Sequence, residues 1–344
     1  MKAVVLTGIR QMKLTDMPMP GIKKDTDVLL KIKKVGVCGS DVHYFSTGRI
    51  GDQIVKYPYL VGHECSAVVA EVGRSVKKVK TGDEVVVEPA VSCHKCEQCR
   101  MGRENTCYNL SFLGTPGQGD GCLCEYMIMP EECCLPTYGR ITLEQAALCE
   151  PFTIGVYTVK QSGLCEDSKV AVLGAGPIGL SCMIAAQAKN AKAVYVTDKL
   201  DCRVDAARKN GAVWAGNPGK EDVVKAILKQ QPLGLDVACE CAGQQETIDQ
   251  AVEVLRPGGV LMIVGIPEFE RVCFPVSKIR KKEITIINVR RQNRCTQAAM
   301  DLVACGKAKI DFMITHRFRV EQAKEAFDMV AEYRDGVVKA MIEF

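Results

Sequence analysis

Four cysteines, Cys93, Cys96, Cys99 and Cys107, fall within 15 residues in the spacing C-x2-C-x2-C-x7-C. Thiolates at such intervals close a compact tetrahedral site, and with sulfur at every corner the metal keeps no open position. Structural zinc is the expected occupant. A [4Fe-4S] cluster is the chemical alternative, because it is also held by four thiolates. A zinc module that reads nucleic acid is the functional alternative, but Lys95, Arg100 and Arg103 are offset by Glu97 and Glu104, so the loop makes no basic helix. A second set is looser: Cys38 in Val37-Cys-Gly-Ser-Asp41, His63 and Glu64 after Gly62, and Glu150 before Pro151. Singly these residues have ordinary readings, Cys38 as a small buried hydrophobe and Glu64 as a surface charge. Together, one thiolate, one imidazole and one or two carboxylates make a zinc site with room for substrate, which is what catalysis by zinc requires. Three of the four histidines, His43, His63 and His94, lie beside Cys or Glu residues of these motifs.

A third motif is Gly174-Ala-Gly176-Pro-Ile-Gly179. It follows the strand-like run 169–173 and opens a helix, the context in which the spacing has meaning. The first glycine allows a tight turn, the second lets the backbone approach a pyrophosphate, and the third lets helix and strand pack closely. The helix amino terminus then offers N–H groups and its positive dipole end to phosphate. Asp198 stands 19 residues past Gly179, at the end of the next strand, where a carboxylate meets ribose hydroxyls and repels a 2′-phosphate. The reading is a dinucleotide site that favours NAD over NADP. Lys199 and Arg203 could attract a phosphate, or simply form a solvated face.

The elements that position these groups fall into two textures. Residues 1 to about 135 carry short alternating or apolar runs (27–37, 65–72, 84–88) separated by Pro-Gly and Gly-Asp turns, which predicts a small all-β domain. From Lys169 onward strands at 169–173, 193–197, 235–240, 259–264 and 283–288 alternate with helices at 177–188, 201–210, 220–231 and 245–256, which predicts a parallel sheet covered on both faces. Amphipathic helices at 296–306 and 321–333 and a strand at 337–344 close the chain.

Length and composition bound the function. A chain of 344 residues suits two domains. Apolar residues make up 47% and charged residues 25%, which excludes long disorder, collagen-like sequence and coiled coil. A net charge of +4 is too weak and dispersed for a nucleic-acid or membrane-surface binder, and no apolar run approaches the roughly 18 residues of a membrane span. The amino terminus lacks the apolar core and cleavage site of a signal peptide. The 19 cysteines are odd in number and scattered, unlike a disulfide framework. These features predict a cytoplasmic protein with many free thiols.

Along essentially the whole chain these residues resemble the zinc-dependent medium-chain dehydrogenases. The motifs that carry the resemblance are Val37-Cys-Gly-Ser-Asp-Val-His43, Gly62-His-Glu64, the four-cysteine loop, Gly174-Ala-Gly-Pro-Ile-Gly179 and Asp198. Ser40-Asp-Val-His-Tyr44, Gly48-Arg-Ile-Gly-Asp52 and Glu150-Pro151 are most similar to the polyol (sorbitol, xylitol, L-iditol) branch. The resemblance implies an α/β protein with an all-β portion: a GroES-like catalytic domain at 1–150, completed by 290–344, and a doubly wound Rossmann domain at 151–289. It implies one catalytic zinc on Cys38, His63 and Glu64, with Glu150 a further ligand or the group that orients water, and one structural zinc on the four-cysteine loop. Ser40 and His43 would relay protons, and Tyr44, Glu150 and Arg290 would meet substrate. Ile178, Asp198, Arg203, Val264, Gly265, Ile266, Asn288, Val289 and Arg290 would lie along NAD. Two positions depart from the branch: Ala67 replaces a usual glycine, and Arg291 replaces a frequent tyrosine, so that Arg290-Arg291 suits a more anionic or more hydroxylated substrate. The activity implied is oxidation of a secondary alcohol of a polyol with NAD, by a homo-oligomer, tetramer or dimer. Rival readings are a family member acting on threonine, butanediol or a sugar-alcohol phosphate, a metal-free quinone reductase, which would lack Cys38 and Gly62-His-Glu64, and a non-enzymatic NAD-binding regulatory protein.

Overall fold

The computed structural model describes residues 1–267 and 269–344 and divides the chain into two units, Met1–Glu150 with Met313–Phe344, and Pro151–Phe312. The return to the first unit falls at 313, where the sequence reading put it at 290. Nothing in the sequence marks that point, because an amphipathic helix such as Thr296–Ala304 can cap either unit, and here its segment groups with the second.

The first unit is built on the strand Asp27–Gly36. It pairs antiparallel with Glu64–Val72, which continues through Glu84–Val87 to Cys134–Pro136, and also with Tyr126–Pro130. Its carboxyl-terminal half pairs antiparallel with Lys339–Glu343, to which Ile314–Arg319 runs parallel. Inward side chains Val28, Leu30, Ile32, Val69, Val85, Val87, Phe327 and Ile342 form one buried core. Ala67 lies in that core, fully buried, at the register of Ile32. The unit is not all β. Helix Gly39–Thr47 ends on Gly48 in the left-handed region (φ 71°), and its Phe45 meets Phe327 of helix Ala323–Ala331 edge-on at 5.5 Å. The sequence reading missed the first helix because its residues, Gly-Ser-Asp-Val-His-Tyr-Phe-Ser-Thr, are poor helix formers that tertiary packing overrides.

The second unit holds six parallel strands in the order Trp214–Gly216, Ala193–Thr197, Lys169–Leu173, Leu235–Glu240, Leu255–Ile263, Thr285–Asn288. The chain winds outward from Lys169–Leu173 in one direction, then returns to wind outward in the other. The switch point therefore lies between Lys169–Leu173 and Leu235–Glu240, and open α/β sheets bind ligands in the crevice beyond the strand carboxyl ends at such a point. Trp214–Gly216 escaped the sequence reading because three residues carry no periodicity. Among the described residues no helix is long and apolar enough to cross a membrane, and all 19 cysteines are free thiols.

Candidate active site and metal centres

The four-cysteine loop folds around the short helix Glu97–Arg100, which presents Cys99, while Cys96 occupies its amino-terminal cap. Sulfur separations are 3.5 Å (Cys96 to Cys99), 3.8 Å (Cys96 to Cys107) and 4.0 Å (Cys93 to Cys99). A disulfide needs about 2.05 Å, whereas a tetrahedron with zinc–sulfur bonds of about 2.3 Å has edges of about 3.8 Å. The donor set thus fits zinc. Backbone N–H groups of Cys93 and Asn109 donate to Cys107 Sγ at 3.3 and 3.4 Å. The backbone N–H of Lys95 leads the groups that bring the Cys93 thiol down to about 6, while burial pushes Cys99 up to about 12. His94 takes no part: its ring turns to Glu132 (2.8 Å) and Glu104 (3.5 Å).

The ligand atoms of Cys38, His63 and Glu64 lie within 4.8 Å of one another. Cys38 precedes helix Gly39–Thr47, and His63 and Glu64 sit where the chain enters strand Glu64–Val72. His63 and Glu64 are each placed by a partner the sequence reading did not name. His63 Nδ1 stands 3.3 Å from Asp41 Oδ1, which also accepts from the Gly62 N–H at 3.3 Å, so Nε2 is the nitrogen left for a metal. Burial opposes a charge on His63, but Asp41 and then Cys38 outweigh it and hold the imidazole well above its ordinary value. Glu64 accepts two bonds from Lys339 Nζ (2.8 and 2.7 Å), which also donates to the Val37 carbonyl at 3.0 Å, and both side chains are buried. Gly36 is required beside them, since a Cβ there would lie 2.3 Å from Glu64 Oε2. Glu150, on helix Leu143–Ser162, is buried. Burial foremost pushes its carboxyl up to about 8, Glu64 and Glu88 reinforce this, and His63 and Lys339 oppose it.

Ser40 Oγ lies 3.4 Å from Cys38 Sγ. His43 is half-buried on the same helix. Tyr44 is buried, donates to Gln53 Oε1 at 2.7 Å and meets the Tyr59 ring edge-on. It would meet a substrate hydroxyl only in company with Gln53.

In the second unit Gly174 adopts φ 98°, and a Cβ there would lie 3.0 Å from Ala242 Cβ. A Cβ on Gly179 would stand 1.7 Å from the Gly174 carbonyl oxygen, so no other residue fits the helix against the turn. Gly176 caps helix Pro177–Ala188, with Pro177 at its first position and Ile178 next. Asp198 accepts from the Ala175 N–H through Oδ2 (2.7 Å) and the Leu200 N–H through Oδ1 (2.8 Å), and Arg203 Nη1 approaches Oδ2 at 4.0 Å. Lys199 pairs with Glu246 at 3.0 Å. Val264 and Gly265 both donate their N–H groups to the Glu240 carbonyl at 2.9 Å, and Val289 donates to the Ile263 carbonyl at 2.9 Å. Ile266, Asn288 and Arg290 are exposed, and Arg291 takes φ 53°.

Comparisons with known proteins agree with this architecture. The Alcohol dehydrogenase GroES-like domain family matches residues 24–139 and the Zinc-binding dehydrogenase family matches 177–305. A sorbitol dehydrogenase of Bacillus subtilis is 36% identical over 343 residues, 99% of this chain and 97% of that protein. The chain belongs to the zinc-binding medium-chain dehydrogenases. A D-xylulose reductase A of Aspergillus niger is 37% identical over 95% of the chain and 92% of its own length. Among solved structures, a zinc-binding dehydrogenase of Sinorhizobium meliloti bound to NADP superposes with a TM-score of 0.92 at 30% identity, covering 100% and 99% of the two chains. An alcohol dehydrogenase of Escherichia coli complexed with NADH superposes with a TM-score of 0.92 at 26% identity and the same coverage.

The medium-chain dehydrogenase therefore consists of a GroES-like unit and a Rossmann unit, as the sequence implied. The structure gathers Cys38, Ser40, His63, Glu64 and the four-cysteine set within the first unit, and the glycine turn, Asp198 and Arg203 within the second. Asp41 carried a signal that was passed over, an acid three residues from a candidate cysteine ligand. Lys339 carried none.

Proposed function

We propose that this dehydrogenase oxidises a secondary hydroxyl of an open-chain polyol of the sorbitol, xylitol or L-iditol type to the ketose, with NAD as hydride acceptor. The observation that carries the reading is the mixed set Cys38, His63 and Glu64, whose ligand atoms lie within 4.8 Å of one another, with Ser40 Oγ 3.4 Å from Cys38 Sγ and Asp41 Oδ1 3.3 Å from His63 Nδ1. When bound there, zinc supplies Lewis acidity that lowers the pKa of an alcohol, and NAD on the second unit supplies the hydride acceptor. Asp41 fixes the His63 ring, and Lys339 holds the Glu64 carboxylate in place and balances its charge. Glu150 offers a further carboxylate to metal or substrate. Ser40 and His43 move the hydroxyl proton outward. Tyr44 with Gln53, and Arg290 with Arg291, recognise the remaining hydroxyls. The Cys93, Cys96, Cys99 and Cys107 set holds a second zinc that keeps the loop folded.

The preference for NAD follows from charge. Asp198 faces the turn, and each cation near it is engaged: Arg203 approaches Asp198 and Lys199 pairs with Glu246. Free thiols throughout support a reducing cytoplasm, and a homo-oligomer, dimer or tetramer, completes the proposal. The test is NADH absorbance over a panel of sorbitol, xylitol, iditol, threonine, 2,3-butanediol and a sugar-alcohol phosphate, with and without a chelator. Polyol-dependent, chelator-sensitive NADH formation is expected, and turnover confined to threonine, butanediol or the phosphate would replace the substrate. No NAD reduction anywhere would favour a non-enzymatic role.

A further inference from the structure

We propose that Glu240 is a positioning residue for the dinucleotide, holding together the two turns that flank the far side of the switch point; the inference rests on the NAD-binding reading above. Glu240 ends strand Leu235–Glu240 and is fully buried. Its Oε1 accepts from the Ala242 N–H (2.8 Å) and the Gly243 N–H (2.7 Å), and the Thr247 hydroxyl, which also approaches the Gln244 carbonyl, stands 2.7 Å away. Its main-chain oxygen accepts from Val264 and Gly265. One residue thus ties the 241–243 turn through its side chain and the 264–266 turn through its backbone.

The two turns are in close contact with each other, and the 241–243 turn with the glycine fingerprint. A Cβ on Gly243, at φ 67°, would lie 2.7 Å from the Ile266 oxygen, and one on Gly174 would lie 3.0 Å from the Ala242 nitrogen. A Cβ on Gly265 would stand 2.4 Å from the Gly243 nitrogen and 2.8 Å from Glu240 Oε2. That oxygen is buried and has no hydrogen-bond partner among the described residues. A buried polar atom with no partner is costly, so the side chain holds this place at the expense of one unpaired oxygen while the other ties the 241–243 turn. That cost falls at the carboxyl end of a central strand beside the switch point, where turns preformed for a ligand would offset it.

The experiment compares the zinc-loaded wild type with Glu240→Ala and Glu240→Gln, measuring NADH affinity by nicotinamide fluorescence, KM and kcat for NAD, and amide hydrogen exchange without dinucleotide. Glu240→Ala is expected to raise the NADH Kd and the KM for NAD about tenfold with kcat within about threefold, and to quicken exchange at 242, 243, 264 and 265. Glu240→Gln keeps the accepting oxygen and is expected to stay within about threefold of wild type. Should the alanine variant not fold, Glu240→Asp, which withdraws the oxygen by one methylene, carries the same expectation. Val252→Ala, in the buried core of the same unit, controls for lost stability. Unchanged NAD parameters in Glu240→Ala or Glu240→Asp, a glutamine variant as impaired as alanine, or an equal KM rise in Val252→Ala would overturn the assignment. A wild type that binds no NADH would instead refute the NAD-binding reading, and this inference with it.

Discussion

Replacing Lys339 by Met removes the cation that the first unit places against Glu64. The ammonium lies 2.7 Å from Glu64 Oε2 with both side chains at 2% exposure or less. At an effective dielectric of 20 the attraction at that distance is about 6 kcal/mol, and the cost of desolvating both ions offsets much of it. Removing one partner is another matter, because the surviving carboxylate stays buried without its counter-ion, and such breaks cost about 3–5 kcal/mol. Lys339→Met is therefore expected to destabilise the metal-free first unit by about 3–5 kcal/mol, and Lys339→Met with Glu64→Gln by at least about 1 kcal/mol less than the single variant. The assay is native-state hydrogen exchange on strands Asp27–Gly36 and Glu64–Val72, since the single tryptophan, Trp214, belongs to the second unit and reports on that one. Saturating zinc should shrink the loss, because the dication then faces Glu64. A single-variant loss below about 1 kcal/mol, or a double variant no more stable than the single, would refute the reasoning.

Other variants test the rest of the site. Cys99→Ser is expected to lower zinc content and melting temperature while folded protein keeps near-normal kinetics, and Cys38→Ser to keep the fold yet lose most turnover; exchanged phenotypes would reverse the structural and catalytic assignments. Asp198 should make NAD better than NADP by about tenfold or more in kcat/KM, about 1.4 kcal/mol, and Asp198→Ser should narrow that gap; steady-state kinetics with both cofactors decide it. Arg290→Ala should raise KM for polyols about tenfold and for 2-propanol much less, and equal losses on both would withdraw the substrate contact. Arg317 grips Glu144 with two bonds (2.7 and 2.8 Å) and holds its carboxyl below the usual range. That contribution is present above the unfolded carboxyl value of about 4.3 and fades as pH falls through the lower folded value. With Arg317 half-exposed, Glu144→Gln should cost no more than about 1 kcal/mol at pH 7 and nothing at pH 2, by thermal melts at both.

The local pattern of the sequence determined the Rossmann core. Strands Lys169–Leu173, Ala193–Thr197 and Leu235–Glu240 and helix Pro177–Ala188 have the same bounds in the structure as in the sequence reading. Apolar β-branched runs bounded by glycine and proline admit few alternatives over so short a span. The four-cysteine loop was legible for the same reason, since all its donors lie within 15 residues and spacing nearly fixes geometry. What tertiary structure decided is which distant groups surround those motifs. Lys339 meets Glu64 across 275 residues because strand Lys339–Glu343 and strand Glu64–Val72 flank the same end of Asp27–Gly36, with Met341 and Glu64 both registered on Gly36. Asp41 meets His63 because a helix of weak formers is held by packing, and Glu240 joins two turns because parallel strands bring their carboxyl ends together. Register and sheet order are properties of pairings between remote segments, and no local window of sequence contains them.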